Sequence, residues 1–440
     1  MAQQKAINGF SKLTSAEKIS WLKEEFELPD KYARTLNSHL HSDKDLQALY
    51  AEFSENTVSN FFIPFGLAPN FLINGKWYVL PMAIEESSVV AAAAHAAKFW
   101  SAHGGFHAEV PDTRKIGQVH FFWTGNAEYL QDLLKRKKNS ILADLEPLTA
   151  SMEKRGGGIL DIRITDQSAE LADYYRLHVE FRTADAMGAN FINSVLEALA
   201  KKWNELLNVE ISSGKISGHL EINMSILSNY TPESLVRAWV ECPPDALGIF
   251  DTTMSGRDFA EKFVRATEIA RVDTFRAVTH NKGIFNGVDA LVIATGNDFR
   301  AVEACGHAYA ARDGRYRGLS RAGIKDNIFH FELELPMSVG TVGGLTSGHP
   351  MAQSSLKILG DPDANELMMI IATAGLANNF SAVRSLITKG IQQGHMKMHL
   401  TNILHQLGAT KEQKQAAIDY FSDKTVSYAA VKEYIADKKT

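Results

Sequence analysis

The chain has 440 residues, of which 45% are hydrophobic and 22% are charged, a composition typical of a globular protein. Its 51 acidic residues exceed its 46 basic residues, so no basic excess favours binding to nucleic acid or to an anionic membrane surface. Two cysteines, Cys242 and Cys305, are too few for a disulfide framework or a thiolate metal site. No apolar stretch reaches the roughly 20 residues of a membrane-spanning helix. We therefore expect a soluble cytoplasmic protein without nucleic-acid or membrane partners.

The first part of the chain is predicted to be a helical arm, because residues 1–60 are polar and have helical periodicity. Residues 70–81 are predicted to form a β-hairpin, since apolar strand-like residues flank Asn74-Gly75, a dipeptide that tolerates positive φ at both turn positions. A helix with an alanine-rich body is expected directly after the hairpin.

The middle of the chain has the clearest order of elements: strand, helix, strand, strand, helix, strand. These six elements are predicted at residues 116–123, 127–154, 159–164, 177–181, 189–207 and 220–224. This is the split βαβ order of ferredoxin-like domains. The flanking chain lacks a comparable sheet pattern, so we interpret this domain as an insertion into a second one.

Two acidic residues, Glu85 and Glu86, are expected in the first turn of the alanine-rich helix. A carboxyl group buried beside such a helix acquires a raised pKa, as a general acid requires. The alternative is a pair of charges that only stabilises the helix N-terminus.

A second candidate segment contains Lys282 and Asp298. Lys282 is expected in a glycine-bracketed turn before an apolar run, and Asp298 ends that run at another glycine turn. A lysine held near carboxylates is a fixed positive charge that stabilises an oxyanion. A surface ion pair is the alternative interpretation.

A third segment, residues 185–190, opens a helix directly after the third strand of the inserted domain. Backbone amides at a helix start beside a glycine can bind a phosphate group, although an aspartate N-cap explains the same residues.

In a fourth segment, His395 and His399 are four residues apart on one helical face. With no cysteine or carboxylate at ligand spacing, a titrating imidazole is favoured over a metal site.

Together and in this order, the four segments resemble the class II (bacterial) 3-hydroxy-3-methylglutaryl-CoA reductases, and the similarity covers nearly the whole chain. It includes residues 64–70, the glycine triplet 156–158, residues 225–229 and 340–344, and His349-Pro350. Two departures are Ser87, where the family usually has proline, and residues 55–59 in a dimer-forming segment.

The resemblance implies an α+β fold. It implies a large mixed helical and β substrate-binding domain, an inserted ferredoxin-like dinucleotide-binding domain and a C-terminal helical flap. We place the two parts of the large domain at 1–113 and 225–380, the insertion at 114–224 and the flap at 381–440.

The resemblance also assigns roles to individual residues. The catalytic glutamate, lysine, aspartate and histidine of the family correspond to Glu86, Lys282, Asp298 and His395. The positions that hold the hydroxymethylglutaryl group correspond to Ser88, Arg276, Asn286 and Asn229. The dinucleotide-binding helix start corresponds to Asp185, Ala186, Met187, Gly188, Ala189 and Asn190.

The implied activity is the interconversion of hydroxymethylglutaryl-CoA with mevalonate and CoA, in either a biosynthetic or a degradative direction, by two successive hydride transfers through mevaldyl-CoA hemithioacetal and mevaldehyde. Lys282 would stabilise each oxyanion, Glu86 would donate a proton, Asp298 would set their ionisation states, and His395 would protonate the CoA thiolate. Two alternatives remain: a dehydrogenase of another thioester or hydroxy acid, and a catalytically silent binding or structural protein. No metal is implied.

Cofactor choice and assembly complete the expectations. Because no acid is placed near residues 148–149 and a basic run occupies residues 135–138, we favour NADPH over NADH, although a shifted alignment would bring in Glu146. The family builds its sites between two chains, which implies a homodimer or larger assembly. Residues 91–97 and 60–63 are expected to supply apolar contact area.

Overall fold

The structure is a computed structural model that describes residues 6–388, 400–401, 403–421, 424 and 426–437. The chain divides into two units, Met1–Pro64 and Phe65–Thr440. The described residues of the first unit form three α-helices, which confirms a helical arm: α1 (Ser15–Glu25), α2 (Asp30–Ser38) and α3 (Lys44–Glu52). Thr14 and Glu17 form a capping box at the start of α1, in which each side chain accepts a hydrogen bond from the backbone N–H of the other residue.

The second unit begins with the predicted hairpin, formed by β1 (Phe65–Ile73) and β2 (Lys76–Ala83). Asn74 and Gly75 occupy the turn with φ values of 48° and 81°, as expected for this dipeptide. Helix α4 (Ser87–Ser101) follows and packs against β1. Its alanine side chains Ala93, Ala96 and Ala97 are fully buried in the core.

The inserted domain has the predicted ferredoxin-like order. Its elements are β4 (Lys115–Trp123), α5 (Ala127–Glu153), β5 (Gly158–Asp166), β6 (Tyr174–Arg182), α6 (Ala189–Ser212) and β7 (Leu220–Ser228). The strands form one antiparallel sheet in the order β5-β6-β4-β7. Gly117 on β4 lets α6 approach closely, because an added Cβ would lie 2.6 Å from Leu196. The domain limits proposed from the sequence stay predictions.

The expectation that the flanking chain lacks a sheet was wrong. Strands β3 (His107–Thr113), β8 (Ser234–Cys242), β9 (Ser320–Lys325) and β10 (Ile328–Pro336) form a second four-stranded sheet in the order β3-β8-β10-β9. Strands β8 and β10 each bury alternate residues, so the period-2 signal is present in the sequence. The inserted domain separates β3 from β8, and helices separate β8 from the β9–β10 hairpin, which conceals the pairing of these strands.

The second half of the chain is mainly helical. Its α-helices are α7 (Gly256–Val272), α8 (Thr274–Ala294), α9 (Phe299–Ala310), α10 (Gly344–Gly348), α11 (Pro350–Leu359) and α12 (Ala364–Ile387), followed by α13 (Lys411–Tyr420) and α14 (Tyr428–Asp437). Helices α7, α9 and α12 contact the second sheet. Among the described residues, only α12 is long and apolar enough to cross a membrane, and 83% of its apolar window is buried inside the protein. Helix α12 is therefore a core helix that packs against α8 and α4.

Candidate active site

Two residues from distant parts of the chain form the centre of the site. Lys282 Nζ lies 2.9 Å from Glu86 Oε2, and Ser88 Oγ donates a hydrogen bond of 3.2 Å to Glu86 Oε1. The Lys282 side chain is 63% exposed and the Glu86 side chain is 33% exposed, so substrate can reach the pair from solvent. The arrangement places the Lys282 ammonium and the Glu86 carboxyl group side by side.

The local structure around this pair differs from the expectation in two respects. Lys282 lies in the middle of α8 rather than in a turn, because Gly283 and Gly287 are accommodated within the helix. Glu86 is the residue before α4, and no acidic residue lies in the first turn of that helix. As the N-cap residue, Glu86 still lies at the positive end of the helix, so the helix-dipole explanation also fits its position.

Buried polar side chains fix α8 next to Lys282. Asn281 accepts a hydrogen bond from the Leu319 N–H at 2.9 Å and donates one to the Arg317 carbonyl at 2.9 Å. His280 Nε2 lies 2.6 Å from Ser320 Oγ. Lys282 thus extends from a helix whose rotation is fixed on its opposite side.

Two predicted substrate residues lie on the same helix as Lys282. Asn286 is one turn after Lys282, and a spacing of four residues places the two side chains on one face. Arg276 lies in the first turn, where burial lowers the pKa of its guanidinium below the usual value. Their contact with a substrate stays a prediction.

Asp298 caps the start of α9. Its carboxylate accepts hydrogen bonds from the N–H groups of Arg300 at 3.0 Å and Ala301 at 3.2 Å, and it pairs with the Arg300 guanidinium at 3.1 Å. Among the described residues, no direct hydrogen bond joins Asp298 to Glu86 or Lys282. Of the network that the resemblance implies, the structure therefore shows the Lys282–Glu86 contact directly, and the part assigned to Asp298 stays a prediction.

The residue before Asp298 connects it to the inserted domain. Asn297 forms two hydrogen bonds with Gly340, accepting from its N–H at 2.8 Å and donating to its carbonyl at 3.1 Å. The adjacent Thr341 N–H donates to the Asp185 carbonyl at 2.8 Å. A Cβ added to Gly340 would lie 2.4 Å from the Met187 nitrogen, so only glycine permits this approach.

We call residues 183–190 the cofactor loop; it joins β6 to α6. Gly188 is the N-cap residue of α6 with φ of 92°, and no described side chain caps the first amides of the helix. A Cβ at Gly188 would lie 2.4 Å from Thr183 Cγ2. A helix N-terminus without a cap, approached by a glycine backbone, fits the phosphate group of a dinucleotide.

The position of Asn229 differs from that of the other predicted substrate residues. Together with Lys115, Met187 and Ser338, it lines a small cavity beside the cofactor loop. His395 and His399 lie outside the described residues, as does most of the segment that joins α12 to the C-terminal helices. The roles assigned to these three residues stay predictions.

Three further residues near the site were not singled out from the sequence. Lys115 shares the buried face of β4 with Gly117 and Val119, so its parity in the strand is a signal that predicts burial. Asn297 precedes Asp298, but no sequence pattern identifies Gly340 as its partner. Asp289 is seven residues after Lys282 on α8.

Asp289 is a buried carboxyl group with an unusual environment. Burial of the carboxyl group, and secondly the negative charge of Glu303 on α9, raise the pKa of Asp289 to about 8. Asp289 Oδ1 accepts no hydrogen bond from any described residue. At neutral pH this residue is therefore mainly protonated.

No group of three or more histidine, cysteine, aspartate or glutamate side chains suited to a metal ion occurs within the described part of the chain.

Comparison with known proteins decides the class of chemistry. The family model of hydroxymethylglutaryl-coenzyme A reductase matches residues 14–400. The chain belongs to this family.

Similar proteins support the assignment over nearly the full length. The 3-hydroxy-3-methylglutaryl-coenzyme A reductase of Archaeoglobus fulgidus is 36% identical over 421 residues, covering 95% of this chain and 91% of that protein. A probable reductase of Borreliella burgdorferi is 34% identical and covers 80% of this chain and 78% of its own.

The class II reductase of Streptococcus pneumoniae bound to NADPH has the same fold, with a TM-score of 0.72, 36% identity, and coverage of 97% of this chain and 100% of that chain. The resemblance inferred from the motifs is thus confirmed, as is the fold class. The chain is an NAD(P)H-dependent oxidoreductase of the hydroxymethylglutaryl-CoA reductase family.

Proposed function

We propose that Glu86, Lys282, Asp298 and His395 are the catalytic residues for the two-step reduction of hydroxymethylglutaryl-CoA to mevalonate and CoA. The observation that carries this proposal is the 2.9 Å contact between Lys282 Nζ and Glu86 Oε2. It unites a fixed positive charge and a proton donor, which are the two groups that reduction of a carbonyl carbon requires.

Lys282 is the group that faces developing negative charge. Each reduction converts a carbonyl oxygen into an oxyanion, first at the thioester and then at mevaldehyde, and an ammonium within hydrogen-bond distance stabilises both. Glu86 is placed to pass a proton to the same oxygen, because it already contacts Lys282 Nζ. The dinucleotide, when bound, supplies one hydride for each reduction.

His395 is assigned to the step between the two reductions. When the hemithioacetal collapses to mevaldehyde, its hydroxyl returns the proton to the Glu86 carboxylate and the C=O bond forms again. The C–S bond breaks, and the sulfur leaves as a thiolate. An imidazolium near neutral pH donates a proton to this sulfur, so that CoA leaves as a thiol. A position in the C-terminal flap suits this role, since CoA and spent dinucleotide must leave between the hydride transfers.

The cofactor loop is proposed to hold the dinucleotide, with residues 185–190 contacting its phosphates. We favour NADPH because no acidic residue lies at positions 148–149 and because the similar S. pneumoniae structure contains NADPH. The basic run at residues 135–138 supports this choice less than expected. It lies roughly 16 Å along α5 from residue 149, and Lys138 pairs with Asp161.

A homodimer is the proposed assembly, located in the cytoplasm, where the buried cysteines Cys242 and Cys305 stay reduced. The hairpin exposes apolar side chains, with Leu67 50% exposed and Trp77 61% exposed, which favours association with a second chain. Within residues 91–97, Ala93, Ala96 and Ala97 are buried inside the chain, so only the other alanines of this segment are available for the contact area that we expected.

The stoichiometry of the purified protein tests the proposed reaction. We expect two molecules of NADPH to be oxidised for each hydroxymethylglutaryl-CoA consumed, with mevalonate and free thiol as products. Oxidation of one NADPH, or of none, would contradict a complete two-step reduction. A substrate panel of other CoA thioesters and hydroxy acids separates this function from that of a related dehydrogenase.

Shared sites are tested by mixing Lys282→Ala, which should be inactive, with Gly188→Ala, which should be impaired when the dinucleotide concentration is kept low. If Lys282 of one chain works with the cofactor loop of the other, one of the two sites in a mixed dimer contains no substitution, and activity returns. An active monomer by sedimentation at assay concentration would exclude the shared-site arrangement.

A further inference from the structure

Lys115 is a buried cation outside the catalytic residues. It is the first residue of β4 and is only 5% exposed. Burial lowers the pKa of its ammonium to about 7, far below the usual value for lysine. A buried ammonium group is strongly unfavourable unless its N–H donors form hydrogen bonds, so Lys115 requires acceptors close to its Nζ.

The partners of Lys115 all belong to the cofactor loop. Its Nζ donates to Thr183 Oγ1 at 2.6 Å, to the Ala186 carbonyl at 2.9 Å and to the Met187 carbonyl at 3.0 Å. These contacts use the three hydrogens of the ammonium. Thr183 Oγ1 in turn donates to the Ala186 carbonyl at 2.6 Å, so one network fixes two successive peptide groups of the loop.

The charged side chains around Lys115 are engaged with other groups. The Asp185 carboxylate accepts from the Ala364 N–H at 3.0 Å. The remaining ones pair with each other: Arg114 with Asp112, Glu180 and Glu233, Arg182 with Asp112, Arg163 with Glu180, and Arg300 with Asp298. Among the described residues, no carboxylate forms an ion pair with Lys115. The positive charge of Lys115 therefore adds to the partial positive charge of the uncapped amides at the start of α6, and both favour binding of an anion at the loop.

We propose that the Lys115 ammonium is the positioning residue of the cofactor loop. It turns the carbonyls of Ala186 and Met187 inward and so presents the amides at the start of α6 to the dinucleotide phosphates. It acts through the loop and does not touch the dinucleotide. The inference rests on the proposed function, since it requires that this loop binds the dinucleotide.

The experiment measures dinucleotide affinity of the full-length protein by NADPH fluorescence at pH 6 and pH 9, for wild type and Lys115→Met. Methionine keeps the length of the side chain and removes all three donors. At pH 6 we expect Lys115→Met to bind at least about tenfold more weakly, with unchanged affinity for hydroxymethylglutaryl-CoA. At pH 9, where wild-type Lys115 is neutral, the two affinities should converge.

Lys202→Met is the matched control in the same domain. Lys202 pairs with Asp144 between the two helices of the insertion, away from the cofactor loop, so its variant should bind the dinucleotide like wild type. If Lys115→Met fails to fold by circular dichroism, Thr183→Val replaces it, because it removes the hydroxyl that links Lys115 to Ala186. We expect the same weakening at pH 6.

The outcomes separate the two proposals. A wild-type protein that binds no dinucleotide contradicts the proposed function. A wild-type protein that binds it, together with a folded Lys115→Met variant of equal affinity at pH 6, overturns the role of Lys115. A deficit of the same size at pH 6 and pH 9 also overturns it, because a neutral amine would then serve as well as the ammonium.

Discussion

Glu86 and Lys282 are in direct contact at 2.9 Å although 196 positions separate them in the chain. One residue precedes a helix that follows the hairpin, and the other extends from the middle of α8. Both helices pack against the core helix α12, which fixes their separation. Because one chain supplies both residues, mixing Glu86→Ala protein with Lys282→Ala protein should not restore activity. The mixture of Lys282→Ala with Gly188→Ala should restore it, because the second substitution lies in the cofactor loop.

Replacing Lys282 by alanine should abolish both reductions. Loss of one oxyanion-stabilising donor costs about 100- to 1,000-fold in kcat, and both hydroxymethylglutaryl-CoA and free mevaldehyde pass through an oxyanion. The measurement is dinucleotide oxidation with each substrate. Lys76→Ala, which removes a lysine paired with Glu366 in the same unit, should retain activity. Near-normal mevaldehyde reduction by Lys282→Ala would exclude the assigned role.

His395→Gln should separate the two reductions. It should slow reduction of the thioester but spare mevaldehyde, which has no thiolate to protonate. His405→Gln, an exposed histidine of the same C-terminal segment, is the control and should leave both rates unchanged. An equal loss with both substrates would mean that His395 does not serve the departing thiolate.

The enzyme should prefer NADPH. We expect kcat/KM to be at least tenfold higher with NADPH than with NADH, a difference of about 1.4 kcal/mol, because no acid near residues 148–149 accepts a hydrogen bond from the ribose 2′-hydroxyl. Initial rates with both dinucleotides at one pH check this. A tenfold preference for NADH would reverse the assignment.

Gly188→Ala should weaken dinucleotide binding. The residue has φ of 92°, and its new Cβ would lie 2.4 Å from Thr183 Cγ2, so the cofactor loop must shift. Gly214→Ala is the matched control: it has φ of 70° at the other end of α6 and open space around the new Cβ. We expect a loss of about tenfold or more in NADH affinity for the first variant only. Equal effects of the two variants would indicate backbone strain rather than a displaced loop.

Asp289 should make stability depend on pH. Its pKa is about 8 in the folded chain and 3.8 without the fold, so the folded state holds an extra proton between these values. Unfolding then releases a proton, and the stability contributed by Asp289 falls as pH rises from 4 through 8. Asp289→Asn, which stays neutral, should lose this dependence.

The measurement is the urea midpoint at pH 5 and pH 8.5. Relative to wild type, Asp289→Asn should be more stable at pH 8.5 than at pH 5, by a difference on the order of 1–3 kcal/mol. Asp132→Asn, at an exposed position of α5, is the control and should follow the wild-type profile. An unchanged pH dependence in Asp289→Asn would show that Asp289 is ionised in the folded state.

The sequence by itself determined the parts that depend on neighbours in the chain. Asn74 and Gly75 specify the hairpin through their backbone freedom, and the alternation of β4 to β7 specifies the ferredoxin-like order. The motifs around Glu86, Lys282 and Asp298 identified the family, because combinations of residue types at fixed spacing do not arise from packing alone. The comparisons confirmed this family.

Only the tertiary structure decided how distant residues meet. The second sheet pairs β3 with β8 across the inserted domain and β8 with β10 across a run of helices. The contact of Glu86 with Lys282 depends on two helices packed on α12. The burial of Lys115 was signalled by its strand parity, but its three acceptors come from a loop that begins 68 positions later. Hydrophobic burial sets such placements, and it acts across the whole core rather than along the chain.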